Sequence, residues 1–332
     1  MTQAQVVWLN APRSIELRAE TIGPVPTGQL LCETIVTAIS PGTELAAYTG
    51  QPPLRPSVVY PRLQGYCSVA RVIEGVADGV GPGDRILSFT SHRSHFLLAA
   101  SDVLYVLPQD ADASLIACSY LYHLGYNAVL RSGVRAGARV LVIGLGALGL
   151  TSVAMAAIAG ADVFALSDHP ASHAIALKIG AKAAYARTDE AALKSALGSG
   201  ADIVISTVNG WDDWQAGLRL AGQNGVIACL GFPGRGQGMP EANPFDSQYF
   251  YMKQLRIEAI GWSPEVDDSR GFLRFNERAN ITWLAGLIQS GRIDPTLLIS
   301  GRYPGADIAR AYEDLLARNK SPITYLLDWS QA

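Results

Sequence analysis

The chain has 332 residues, too many for one simple core, so its length points to two domains. Hydrophobic residues make up 49% and charged residues 17%, which fills a large core and excludes extensive disorder. Its 26 Lys and Arg and 29 Asp and Glu are scattered, and the net charge of -3 argues against a nucleic-acid surface or a basic membrane face.

No charged n-region with a small-residue cleavage site opens the chain, so a secreted protein is not expected. Cys32, Cys67, Cys118 and Cys229 lie far apart without a CxxC pair, which reads as a reduced, cytoplasmic protein without a disulfide framework. An uncharged run between Arg139 and Asp162 is long enough to span a bilayer. It is broken by Gly144, Gly146, Gly149 and Gly160, and a buried strand, turn and helix explain it better.

The first third is β-rich. Val6 to Leu9, Leu30 to Val36, Ser68 to Glu74 and Arg85 to Phe89 are β-branched or alternating runs punctuated by Gly and Pro. Gln51 to Pro61 is expected as a surface loop, and Phe96 to Leu107 as extended chain. Ile116 to Leu130 then takes helical spacing. From Val140 strands alternate with helices: strands at Val140 to Ile143, Val163 to Leu166, Ile203 to Val208, Val226 to Gly231 and Leu255 to Trp262. Helices fall at Leu150 to Ala159, Ser172 to Ile179 and Trp211 to Ala221. Such alternation predicts an α/β fold with a parallel sheet covered on both faces.

The strongest motif is Gly144-Leu145-Gly146-Ala147-Leu148-Gly149, which follows an apolar strand and opens an apolar helix. A bare GxGxxG is weak, but this context is the one that dinucleotide binding requires. Gly144 permits the tight turn, Gly146 lets a pyrophosphate approach the backbone, and Gly149 lets helix and strand pack closely. The helix start supplies unpaired N–H groups and a positive dipole end. An NAD site places an acid about 20 residues beyond the glycines, and Asp168 fits. Counting back from Gly180, however, puts Ser167 at the strand terminus, where a small hydroxyl leaves room for a 2′-phosphate. His169 or Arg187 would then supply positive charge, with Asp168 opposing it. The balance favours NADP(H) slightly over NAD(H). Gly231-Phe232-Pro233-Gly234 follows a strand and is expected beside the nicotinamide, although a plain turn would look the same.

Taken together, Ser40-Pro41-Gly42-Thr43-Glu44, then Pro61 to Tyr66, then Gly83-Asp84-Arg85 and the glycine turn resemble the medium-chain dehydrogenase/reductase superfamily over essentially the whole chain. The Ser-x-Gly-Thr-Glu element is similar to that of a zinc-lacking branch that includes bacteriochlorophyllide dehydrogenase-like proteins. The resemblance implies a Rossmann domain, residues 123–262, inserted in a discontinuous GroES-like catalytic domain, residues 1–122 and 263–332. It also implies an active site in the interdomain cleft, a small-molecule substrate and a homodimer joined through the sheet edge at Leu255 to Trp262.

Zinc is not expected. In zinc relatives a Cys stands where Ser40-Pro41 stands here, and Gly-His-Glu where this chain has Gly65-Tyr66-Cys67. The short stretch after Arg85 holds no structural-zinc lobe. Cys67, Cys118 and one of His92, His95 or His123 could supply three ligands, but in no familiar spacing.

Hydroxyls and imidazoles must then manage the oxygen charge. Thr43 matches the hydroxyl that relays protons in the zinc relatives, and Tyr66 replaces a zinc-ligand His; either could instead be an ordinary turn or half-buried group. Glu44 reads as a supporting carboxylate rather than a proton carrier. His95 is a candidate shuttle, as a residue titrating near neutrality. Tyr120, Tyr122 and His123 could contact substrate or simply pack. The leading expectation is a zinc-independent NAD(P)-dependent oxidoreductase acting on a secondary alcohol or ketone. Reduction of an activated C=C bond, as in enoyl and quinone reductases, is the alternative, and a non-catalytic dinucleotide sensor is another.

Overall fold

The computed structural model describes residues 1–51, 59–261, 263–264, 274–317 and 322–330. Most of the expected loop Gln51 to Pro61, together with Trp262, lies outside them. The chain forms two compact units, Met1–Tyr120 with Pro264–Ala332, and Leu121–Ser263. The sequence boundary at residue 122 differs from this division by two residues, both inside the helix Ser119–Ser132.

The inserted unit is a Rossmann fold. Its six described strands run parallel in the spatial order Ala183–Tyr185, Asp162–Leu166, Arg139–Ile143, Ala201–Ser206, Ala221–Cys229 and Arg256–Ala259. Numbered along the chain, that order is 3-2-1-4-5-6, and it reverses direction between Arg139–Ile143 and Ala201–Ser206, where dinucleotides bind in such sheets. Val140 to Ile143 are at most 1% exposed, because a central parallel strand is covered on both faces. The expected Leu255 to Trp262 strand shortens to Arg256–Ala259 at the sheet edge. The helix Ser119–Ser132 crosses the glycine-turn helix Ala147–Ile158 closely: a Cβ on Gly125 would lie 2.5 Å from the Thr151 backbone.

In the other unit, seven described strands form an antiparallel-rich sheet around Gln29–Ala38. That strand pairs with Ser68–Glu74, with His95–Ala99 and, from the far end of the sequence, with Thr324–Asp328. The expected extended segment Phe96 to Leu107 is interrupted by a turn of 3-10 helix at Ala100–Asp102. A smaller sheet joins Ser14–Ile22, Thr2–Ala11 and Arg62–Leu63. The amphipathic helix Ile308–Leu316 buries Ile308, Ala311, Tyr312 and Leu315 in a cluster with Val7, Leu9, Ile39 and Leu327. No described helix is long and apolar enough to cross a membrane.

Burial in the inserted unit has a pH signature. His123 is 2% exposed, with Nε2 3.3 Å from the Ser263 hydroxyl, and burial pushes its pKa down from 6.5 to about 4. Below pH 6.5 the unfolded chain takes up a proton that the folded chain refuses. Stability is therefore whole above that pH and falls progressively towards pH 4, by up to roughly 3 kcal/mol. Denaturant melts at pH 7 and pH 5 should show this loss in the native chain and a smaller one in His123→Gln. An equal slope in both would remove His123 as its source.

Candidate functional site

The glycine turn is built as a phosphate-binding turn must be. Gly144 has φ +88, and a Cβ there would stand 2.4 Å from Val208 Cγ1. A Cβ on Gly149 would lie 1.8 Å from the Gly144 carbonyl oxygen, so only glycine lets the helix start this close to the strand. Gly146 is different. It caps the helix Ala147–Ile158 without a side-chain hydrogen bond, it is exposed, and a Cβ there would meet nothing within 4 Å. The first turn, with Ala147 and Leu148, thus presents N–H groups over open space, which fits a pyrophosphate.

Neighbouring strand ends complete this edge. The Thr207 hydroxyl donates to the Ile143 and Gly144 carbonyls at 3.0 and 3.2 Å. Gly231 lies against the Val208 backbone, where a Cβ would be 2.1 Å from Val208 O, and the Phe232 N–H donates to Asn209 Oδ1 at 2.8 Å. Phe232 is 43% exposed, with the Arg235 guanidinium 5.2 Å from its ring centre. Gly144, Val208 and Gly231 therefore meet at the carboxyl ends of three adjacent strands.

At the second strand, Ser167 follows Leu166 directly and is buried, whereas Asp168 and His169 are exposed. Ser167 N–H donates to the Tyr185 carbonyl at 3.0 Å, and its own carbonyl lies 2.5 Å from His173 Nε2. Asp168 accepts the Arg187 backbone N–H at 2.8 Å and its Nε at 3.2 Å. That backbone N–H is the main reason its carboxyl sits below the usual range, the guanidinium adding to it. Arg187 also reaches Asp213 at 2.5 Å, so one cation holds two carboxylates beside Ser167.

The other unit gathers hydroxyls. The helix Pro41–Tyr48 starts at Ser40, with Pro41 in its first turn, and Glu44 Oε1 accepts the Ser40 backbone N–H at 2.7 Å. Half-buried Tyr66 donates its phenol to Ser40 Oγ at 2.6 Å, and the Thr43 side chain is close enough to act on the phenol. Burial raises the Tyr66 pKa above its ordinary value; the charges of Cys67 and Glu44 add to this, while Ser40 and Thr43 pull it back. Tyr66 is therefore a neutral O–H donor near neutral pH. Tyr120 stands edge-on to Tyr66 at 5.0 Å and to Phe89 at 5.1 Å, and Leu87, Leu104 and Ile281 extend this apolar lining.

Of the residues singled out in the sequence, Thr43, Glu44, Tyr66 and Tyr120 come together here. His95 opens the strand His95–Ala99 and turns Nδ1 to Ser94 Oγ at 3.1 Å. His92 is the imidazole beside Glu44: it is wholly buried, with Nε2 2.9 Å from Glu44 Oε2 and Nδ1 2.7 Å from Thr37 Oγ1. Tyr122 and His123 are core residues, 1% and 2% exposed. Ser40 stands before Pro41 at the helix start, where Ser is a capping signal, but its side chain makes no cap hydrogen bond and its hydroxyl meets Tyr66 instead. Burial raises the Cys67 thiol well above its ordinary pKa and the Cys118 thiol to about 12. Among the described residues no three His, Cys, Asp or Glu side chains gather as a metal-holding group.

A family model described as a zinc-binding dehydrogenase matches residues 147–277. Across 97% of both chains, the protein is 25% identical to 2-desacetyl-2-hydroxyethyl bacteriochlorophyllide A dehydrogenase of Cereibacter sphaeroides. It is 32% identical to NADP-dependent alcohol dehydrogenase C 1 of Mycolicibacterium smegmatis, over 50% of this chain and 45% of that one. Its fold is similar to that of L-idonate 5-dehydrogenase from Escherichia coli, with a TM-score of 0.82, 16% identity and 98% of each chain covered. With the Rossmann strand order and the glycine turn, these likenesses define the class: an NAD(P)-dependent oxidoreductase. The family-model match over residues 147–277 and these relatives support a place in the medium-chain dehydrogenase/reductase superfamily.

Proposed function

We propose that the protein is a zinc-independent dehydrogenase/reductase that interconverts a secondary alcohol and a ketone with NADP(H), Tyr66 acting as the proton donor. The observation that carries this reading is the Tyr66 phenol hydrogen-bonded to Ser40. By resemblance, Ser40-Pro41 and Tyr66 stand where zinc relatives hold the metal with Cys and His, and neutral hydroxyls are poor zinc donors.

The bound nicotinamide supplies or accepts the hydride. In ketone reduction, Ser40 O–H turns to donate to the phenol oxygen, and Tyr66 O–H gives its proton to the substrate oxygen as negative charge develops there. Ser40 then holds the phenolate until solvent restores its proton. In alcohol oxidation the Tyr66 phenolate, its proton first released to solvent, takes the hydroxyl proton of the substrate. A positioned acid of this kind contributes about 10²–10⁴-fold. Glu44, buried and facing away towards His92, is a supporting carboxylate in this scheme.

The preference for the 2′-phosphate rests on buried, small Ser167 at the strand end and on Arg187 beside it. The NADP-dependent relative supports the same choice. Thermal unfolding with NADPH and NADH tests it, since a ligand at about 100 times its Kd adds about 2.7 kcal/mol of stability. NADPH should give the larger shift. Arg187→Ala should weaken NADPH about 10-fold and leave NADH within threefold, as one charge-assisted contact is lost. Equal shifts with both coenzymes in the native chain would overturn the preference. NADPH consumption with enones but not ketones would move the reading to C=C reduction, and coenzyme binding without turnover on a broad panel would leave a sensor. One zinc per chain by elemental analysis would overturn the assignment of the hydroxyls.

A further inference from the structure

The interior beside the hydroxyl cluster holds polar groups that the proposed chemistry does not use. Glu44 is 1% exposed, His92 and Tyr312 are 0% exposed, and all three meet at one carboxylate. Glu44 Oε2 accepts from Tyr312 O–H at 2.5 Å and lies 2.9 Å from His92 Nε2, while Oε1 accepts Ser40 N–H at 2.7 Å. An interior carboxylate is unfavourable unless it is paired and fully hydrogen-bonded, so these partners fix its position narrowly.

Two routes lead from that network to the Tyr66–Ser40 pair. Through Glu44 Oε1 the network holds the backbone of Ser40, the residue whose hydroxyl takes the Tyr66 phenol. Through His92 it holds the other side. The His92 ring lies against Gly65, where a Cβ would be 2.4 Å from Nε2, and Gly65 takes φ +85 immediately before Tyr66. His92 N–H also donates to the Gln64 carbonyl at 2.7 Å. His92 thus braces the Gln64–Tyr66 segment and Glu44 at once, and Tyr312 holds Glu44 from the helix Ile308–Leu316.

Resting on the hydroxyl reading above, we propose that Glu44, His92 and Tyr312 are positioning residues that hold the Tyr66 phenol and the Ser40 hydroxyl in contact, so that Ser40 O–H can turn to donate to the phenol oxygen and leave the Tyr66 proton for the substrate. They act through Tyr66, and Tyr312→Phe is the test because it removes one oxygen and leaves the ring in place. With NADPH and the fastest ketone of the panel, kcat should fall about 10-fold while KM and the NADPH Kd stay within threefold. Because both residues act through one proton, Tyr66→Phe/Tyr312→Phe should be no slower than Tyr66→Phe alone. Glu44→Gln, which keeps a carbonyl for Ser40 N–H, should retain at least ten times the rate of Glu44→Ala, and it replaces Tyr312→Phe if that variant fails to fold.

NMR of isotope-labelled tyrosine, with the Tyr66 ring signal assigned from Tyr66→Phe, gives a readout free of turnover. That signal should shift in Tyr312→Phe and in Glu44→Gln. Losses that multiply in the double variant, or a Tyr66 signal that stays in place in both, would overturn the proposal. Full activity of Tyr66→Phe would instead sink the hydroxyl reading, and the NMR signal would still decide the positioning.

Discussion

Tyr66→Phe should lower kcat for NADPH-dependent ketone reduction by about 10²–10⁴-fold, the range of a positioned general acid. Its ring stays packed edge-on against Tyr120, so the fold should tolerate the change. The lost oxygen leaves Ser40 Oγ with water as partner. Ground-state binding does not depend on the proton, so KM for the ketone and Kd for NADPH should change less than threefold. Steady-state kinetics with coenzyme titration measures all three. A kcat within twofold of the native chain would remove Tyr66 from the reaction.

Two glycines of one turn should respond in opposite ways. Gly149→Ala places a methyl group 1.8 Å from the Gly144 carbonyl oxygen, so the turn or the helix must move. Overpacking of this sort costs about 1–3 kcal/mol or more, and the melting temperature should drop by several degrees, with NADPH weakened at least 100-fold. Gly146→Ala meets nothing in the protein, so its melting temperature should match the native value without coenzyme. The added methyl nevertheless occupies the space over the helix start, and the NADPH-induced shift should vanish. A normal NADPH shift in Gly146→Ala would show that the pyrophosphate lies elsewhere.

The parallel sheet was legible because its central strands are continuous apolar runs, and Val140 to Ile143 is one that no helix period explains. Ala183–Tyr185 was not, being three residues with two alanines, too short and too weakly β-forming to announce itself. The helix Ile308–Leu316 is not among the expected helices, although Ile308, Ala311, Tyr312 and Leu315 follow a helical stripe. At the candidate site, residue types were readable but directions were not. His92 and His95 stand three apart in one loop, and nothing in their spacing says that the first enters the core while the second turns to Ser94. Nor could a sequence pair Glu44 with Tyr312, since 268 positions separate them and pairing of Thr324–Asp328 with Gln29–Ala38 brings their helices together.

That separation has a consequence for how the protein is made. Thr324–Asp328 pairs with Gln29–Ala38, Tyr312 hydrogen-bonds Glu44, and Trp329 Nε1 donates to Thr37 Oγ1 at 3.1 Å. As the chain leaves the ribosome, its first 120 residues must wait for the last few dozen before their interior can close, with Glu44 solvated in the meantime. The continuous segment Leu121–Ser263 faces no such delay and can fold while the remainder is still being translated. Emergence of Tyr312 and Thr324–Asp328, rather than of the N-terminal strands alone, is then the event that creates the hydroxyl cluster.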